Sequence, residues 1–183
     1  FLILIGISLK CQNLVLTQSF NQPTVGDTNL VYPMDTSGFS SAMPIGLIGN
    51  NITWDFTNLN AKPNILETAY ISPVTVTNSA SFSGCNLVEK QGGLYTFLKS
   101  SITPTTQTEL LGLTSSTLSF NFTNTAVASK YPMAFGTSIS DNFSGTFVFS
   151  LNGTCSGTLT SNADGYGTIK LPNNLTLTNV LRV

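Results

Sequence analysis

No histidine occurs in this chain. The imidazole base of Ser-His hydrolases and the His-ligated zinc site are therefore outside its chemistry. Acid–base work would fall to carboxylates, and a glycosidase needs two of them about 5 to 10 Å apart. Asp55, Asp141 and Asp164 are the candidates. Each has a plainer role available: Asp55 follows Trp54 in an alternating stretch, Asp141 precedes Asn142 as a strand-starting turn residue, and Asp164 precedes Gly165 in a turn dipeptide. Calcium would draw on Asp35, Asp141 or Asp164, but no Asp-x-Asp pattern clusters them. These patterns predict no catalytic residue, no metal and no cofactor.

Binding is the stronger competitor. Trp54, Tyr70, Tyr95, Tyr131 and Tyr166 are flat faces of the kind that stack on sugar rings, with Asn and Thr as hydrogen-bonding neighbours. Tyr166, between Gly165 and Gly167, is the aromatic expected to be most exposed, and Trp54 is the second ligand-binding candidate. A lone Trp in an alternating strand also fills a core well, so Trp54 has a structural reading beside the functional one.

Composition narrows the partners. Charged residues make up 8% of the chain, against roughly 25% in an average soluble protein. Seven basic and eight acidic side chains, scattered singly, give a net charge of −1 and no cationic surface to neutralise phosphates. Nucleic acid is excluded on that ground. Solubility rests on Ser, Thr and Asn, a surface that suits the outside of a cell.

The elements that must position these residues read as strands. Phe1–Leu9, "FLILIGISL", is followed by Lys10, Cys11 and Gln12 and has the length of a signal-peptide hydrophobic region, so residues 1–12 read as a signal-peptide remnant. The run is too short for a transmembrane segment, which needs about 20 residues. Beyond it, "NLVLTQSF" (13–20), "NNITWDF" (50–56), "SPVTVTN" (72–78) and "LYTFLKS" (94–100) are short β-branched and aromatic runs bounded by turn residues. Period two is clearest where Leu118, Phe120 and Phe122 share one face, and again in Phe143, Gly145, Phe147, Phe149 and Leu151. Only "AKPNILETAY" (61–70) has room for a helical turn. Half-apolar strands must bury one face, which predicts an all-β, two-sheet antiparallel β-sandwich over residues 13–183, with a jelly roll among the arrangements open to it. Asp164–Gly165 is expected to turn a hairpin from "CSGTLTS" into "GTIKLP".

"ADGYGTIKLP" (163–172) followed by "NVLRV" (179–183) resembles a recurring segment of exported proteins from Bacteroidota-type bacteria, found upstream of a type IX secretion C-terminal sorting domain. "TWDF" (53–56) and "YPMAFGTSISDNFSG" (131–145) are similar to the same group, whereas "NNLTL" (173–177) departs from its usual Gly-containing turn. The resemblance implies export, a chain continuing past Val183, and no catalytic residue to carry over. If Cys11 leaves with the leader, Cys85 and Cys155 remain as an even pair in an oxidising compartment, and both sit in small, turn-rich settings, so a Cys85–Cys155 disulfide is expected.

These readings converge on a non-catalytic secreted or cell-surface module of structural or adhesive type, meeting an extracellular polysaccharide or surface protein. The alternative is a carbohydrate- or protein-binding module accompanying a catalytic domain outside this fragment. Asn-x-Ser/Thr triplets begin at Asn51, Asn121, Asn142, Asn152 and Asn174, but Ser/Thr/Asn-rich chains produce them by chance and the bacterial resemblance implies no glycan on them. Intact mass of the protein from its native source should equal that of the bare chain; increments at these asparagines would overturn the bacterial assignment.

Overall fold

The computed structural model describes residues 14–37 and 46–183. The signal-peptide reading of residues 1–12, with Cys11, lies outside the described residues. Among the described residues fifteen strands are formed: β1 (Val15–Leu16), β2 (Thr28–Val31), β3 (Met34–Asp35), β4 (Gly49–Asp55), β5 (Asn60–Ala61), β6 (Leu66–Ile71), β7 (Leu87–Gln91), β8 (Leu94–Ser101), β9 (Gln107–Thr114), β10 (Ser119–Lys130), β11 (Met133–Ala134), β12 (Ser138–Val148), β13 (Asn152–Asn162), β14 (Gly165–Leu171) and β15 (Leu175–Arg182). No helix among the described residues is long and apolar enough to cross a membrane.

The chain is all-β and sandwich-like. Its main layer is an eight-stranded antiparallel sheet in the order β13-β12-β10-β9-β8-β7-β6-β2, and a three-stranded sheet, β15-β14-β4, forms a second layer. The pair β14–β4 is parallel, a departure from the all-antiparallel expectation. The longer strands follow the predicted alternation: Phe120 faces Phe147 and Phe122 faces Gly145 across β10–β12, with ring centroids of Phe120 and Phe147 5.7 Å apart.

One row of the large sheet shows how its core is placed. Directly paired residues share a face, and the row Thr154, Thr146, Asn121, Gly112, Phe97, Val88, Ile71 crosses the sheet from β13 to β6. It is polar at one end and apolar at the other. The apolar end is covered by the connection between β6 and β7, whose Phe82 ring stacks on Phe97 at 3.8 Å with the planes 10° apart. Val88, Leu111, Ile71 and Val76 complete this core. A second core, of Met133, Ile139 and Ala163 with Leu16, Val127 and Leu181 against it, joins the opposite face of the large sheet to β15.

Several local expectations change. Among the described residues of 13–20 only Val15–Leu16 is a strand, and Gln18–Asn21 forms a single helical turn that ends before Pro23. "SPVTVTN" contains a 3₁₀ turn over Pro73–Thr75 instead of a strand, because Pro73 is preset for a first helical position and the Thr75 hydroxyl donates to the Ser72 carbonyl at 2.7 Å. Residues 61–70 contain β6, with no helical turn.

Asp164–Gly165 is not a hairpin turn. β13 pairs with β12 in the large sheet and β14 pairs with β15 and β4 in the small one, so these residues carry the chain between layers. The hairpin lies one strand later, where Asn173 and Asn174 both take left-handed backbone angles (φ 61° and 60°) between β14 and β15. Cys85 and Cys155 are both free thiols. Cys155 is on edge strand β13 while Cys85 precedes β7, and four strands lie between β13 and β7 in the sheet order. At about 4.8 Å per strand that separation is far beyond disulfide reach.

Gly165 is constrained by packing and not by a turn: a Cβ there would lie 2.6 Å from Trp54 Cζ2. Gly165→Val should cost about 2 to 3 kcal/mol in chemical denaturation. In a double-mutant cycle with Trp54→Leu, removal of the indole should recover at least about 1 kcal/mol of that loss. Strict additivity would sink the steric explanation.

Candidate binding face

Both aromatic candidates are interior. Trp54 is 3% exposed and Tyr166 4%, so neither offers a stacking platform, and the expectation that Tyr166 would be the most exposed aromatic is overturned. The parallel pairing of β14 with β4 sets Trp54 opposite Ile169. Trp54 Nε1 donates to the Leu47 carbonyl at 3.0 Å, which also accepts Arg182 Nη1 at 2.8 Å. The Tyr166 hydroxyl donates to Asn179 Oδ1 at 2.8 Å. These bonds satisfy the polar ends of large buried rings, as burial requires. Of the other tyrosines, Tyr70 is buried, Tyr95 lies beneath Lys90 Nζ at 5.9 Å from its centroid, and the Tyr131 oxygen accepts from Asn21 Nδ2 at 2.9 Å.

The carboxylates are held separately. Asp55 accepts from the Thr57 hydroxyl at 2.6 Å and its backbone N–H at 3.1 Å, bonds that hold its carboxyl below the ordinary range. Asp35 accepts from the Ser37 backbone at 2.9 Å. Asp141 Oδ2 accepts from the Val127 N–H at 2.8 Å, where the register of β10 shifts. Asp164 pairs with Arg182 Nε at 3.0 Å. Among the described residues no three His, Cys, Asp or Glu side chains gather as a metal site would require.

What the fold does assemble is a polar face on β12 and β13. The burial of β13 alternates without exception, and its exposed members are Asn152, Thr154, Ser156, Thr158, Thr160 and Asn162. The β12 register sets Thr146, Ser144, Asn142, Ser140 and Ser138 opposite the last five of these. The result is a ladder of hydroxyls and amides with rungs about 6.8 Å apart along the strands and about 4.8 Å across them. Neighbours are tied together: Ser138 donates to Asn162 Oδ1 at 2.6 Å and Thr158 to Asn142 Oδ1 at 2.7 Å. No rung is charged.

Glycines make room for aromatic rings behind the ladder. On the opposite face Gly153 faces Phe147 and Gly157 faces Phe143, and a Cβ at either glycine would fall 2.6 and 2.8 Å from those rings. The rings lie over the bare backbone of the edge strand. At its other end the ladder runs into a groove of about 330 Å³ bordered by Asn78, Ser81, Ser119, Asn121 and Thr146. Asn121 Nδ2 donates to the Ser81 carbonyl at 2.9 Å, which anchors the wall of that groove to β10.

Sequence reasoning passed over this face. Its signal is the strict alternation of Asn152–Asn162, polar residues at even numbers and mostly small ones at odd numbers. The Asp-Gly dipeptide at its end is the more conspicuous local signal. No family model, curated protein or solved structure matches the chain, so its surfaces are interpreted from geometry.

The half-buried charge elsewhere on the sheet has a structural job. Burial alone would raise the Glu109 carboxyl, but hydrogen bonds from Gln107 Nε2 at 2.9 Å and Thr125 Oγ1 at 2.7 Å, with Lys99 at 3.5 Å, outweigh it and hold the carboxyl below its ordinary value. A carboxylate depressed on folding stabilises above its unfolded pKa, about 4.3, and that stability is lost as pH falls through the folded value. Glu109→Ala should cost about 2 kcal/mol at neutral pH. Its urea midpoint should also vary less than the wild type's between pH 6 and pH 2, as ~2 units either side of the carboxylate range; equal acid sensitivity would refute this role.

Proposed function

We propose that the chain is a non-catalytic, secreted or cell-surface module of structural and adhesive type, and that its β12–β13 face adheres to a neutral extracellular polysaccharide. The single observation that carries this reading is the uncharged ladder of Ser, Thr and Asn side chains, paired rung by rung across the two strands. A neutral polysaccharide offers hydroxyls at repeating intervals, and a repeating array of donors and acceptors answers many of them at once. The absence of charge helps, since no ionic group has to be desolvated against a ligand that cannot compensate it. Individual contacts of this kind are weak, about 1 kcal/mol each, so the array acts through number. The resemblance of residues 163–172 and 179–183 to exported bacterial proteins supports placing the module outside the cell.

Co-sedimentation with insoluble cellulose, chitin and β-glucan tests the proposal. At least one should retain the protein, and Thr146→Val with Thr158→Val should weaken retention about thirtyfold, the loss of two net hydrogen bonds, while the circular dichroism spectrum stays the same. Retention undiminished by the double substitution, or no retention on any of the three, would remove the ladder from the proposed function.

A further inference from the structure

β13 is the outermost strand of the large sheet, and its outer backbone edge meets no strand among the described residues. An edge of this kind shows a row of unpaired N–H and C=O groups, which proteins ordinarily blunt with a charge, a proline, a bulge or a short strand. β13 has none of these. It is eleven residues long, carries neither charge nor proline, and its register against β12 is unbroken. The other edges of the two larger sheets differ: β2, at the far side of the same sheet, has four residues, β15 carries Arg182 and its pairing with β14 has a register shift, and β4 carries Asp55 and has a register shift against β14.

The side chains of β13 are also self-complementary. Its outward face reads Asn152, Thr154, Ser156, Thr158, Thr160, Asn162, which is nearly the same in either direction. We propose that β13 pairs antiparallel with β13 of a second copy of this chain, about a two-fold axis through Gly157. This register uses the whole strand and keeps each face continuous. It sets Ser156 against Thr158, Thr154 against Thr160 and Asn152 against Asn162, which are pairs that hydrogen-bond across strands. Behind them Cys155 meets Leu159, and Gly157 meets Gly157 at the axis. The half-buried Phe143 ring already lies over Gly157, so the two Phe143 rings flank the axis and shield each other from water. A two-fold axis perpendicular to the sheet is the isologous arrangement. It joins two polar ladders into one surface on the same side of the pair.

Sedimentation velocity of the full chain over a wide concentration range is the test. The wild type should show a monomer–dimer equilibrium, and hydrogen exchange should show β13 amides gaining protection as dimer forms. Ser156→Lys combined with Thr158→Lys sets like charges directly opposite each other across the axis and should weaken the dimer at least about tenfold. Ser156→Lys combined with Thr158→Glu sets opposite charges there and should return association to the wild-type level or beyond. Both pairs of substitutions occupy the same exposed positions, so unequal folding does not account for a difference between them. A wild type that stays monomeric throughout, a dimer whose β13 amides gain no protection, or two charged variants that associate equally would each overturn the proposal. Polysaccharide retention plays no part in these measurements, so the failure of either proposal leaves the other standing.

Discussion

Phe82 lies flat on Phe97 only because residue 112 has no side chain. Gly112 is paired to Phe97 on one side and Asn121 on the other, and a Cβ there would sit 2.5 Å from Phe82 Cε1 and 2.2 Å from the Phe120 carbonyl. The close approach lets one ring of the β6–β7 connection seal the apolar end of the large sheet. Burying a side chain of this size contributes about 1.5 to 3 kcal/mol, and stacked rings add about 1 kcal/mol more. The connection is bent into place by Pro73 and by Asn78 in the left-handed region (φ 68°). Because this cover spans β7 to β9 and stops at Gly112, the row beyond it must be wettable. Asn121, Thr146 and Thr154 are what a sheet needs where its covering layer ends.

The opposite face of the sheet solves a related problem without a lid. Phe143 and Phe147 fold over Gly157 and Gly153 of the edge strand, and Gly145 leaves room for the Asn121 carbonyl and Phe122 Cα beneath. Rings that cover their own sheet need less from a second layer. The three-stranded sheet can therefore be small. It packs on the Ile139 end through Leu181, and it is locked by its own close approach, with Gly167 fitted where a Cβ would be 1.8 Å from the Ile52 carbonyl. Asp164 and Arg182 pair at the joint, which fixes the point where the chain leaves one sheet for the other.

The all-β class and the facing of the long strands were legible because period-two alternation is a direct consequence of strand geometry. Phe120 and Phe122 on β10 and the part of 143–151 that lies in β12 follow it; Phe149 and Leu151 do not, since they fall in the exposed connection to β13. The failures share a cause, which is that local patterns do not say which strand is the neighbour. Asp-Gly is good turn chemistry, yet β14 pairs with β4, over a hundred residues earlier, and that pairing overrides the local preference. The same pairing buries Tyr166 between glycines that looked like a loop. Cys85 and Cys155 have similar neighbourhoods, but one precedes β7 and the other lies on β13, four strands away in the sheet order, and strand order is not written in either neighbourhood. The polar ladder was missed for a different reason: it has no rare residue to attract notice, only Ser, Thr and Asn in alternation with Gly, Cys and Leu.

That alternation ties the low charge of the chain to its surfaces. In β13 every even position faces water and every odd position is either a glycine beneath a ring or a partly buried side chain. A lysine at Gly153 or Gly157 would displace the ring that covers the edge there. A lysine at an even position would stand about 4.8 Å from its cross-strand neighbour and interrupt the uniform array. Either choice would guard the exposed edge, and either would spoil the face. A strand that presents an uncharged surface thus lacks the ordinary means of protecting its backbone, so the two proposals concern one strand: the alternation that keeps its exposed face neutral also leaves its edge open to another strand.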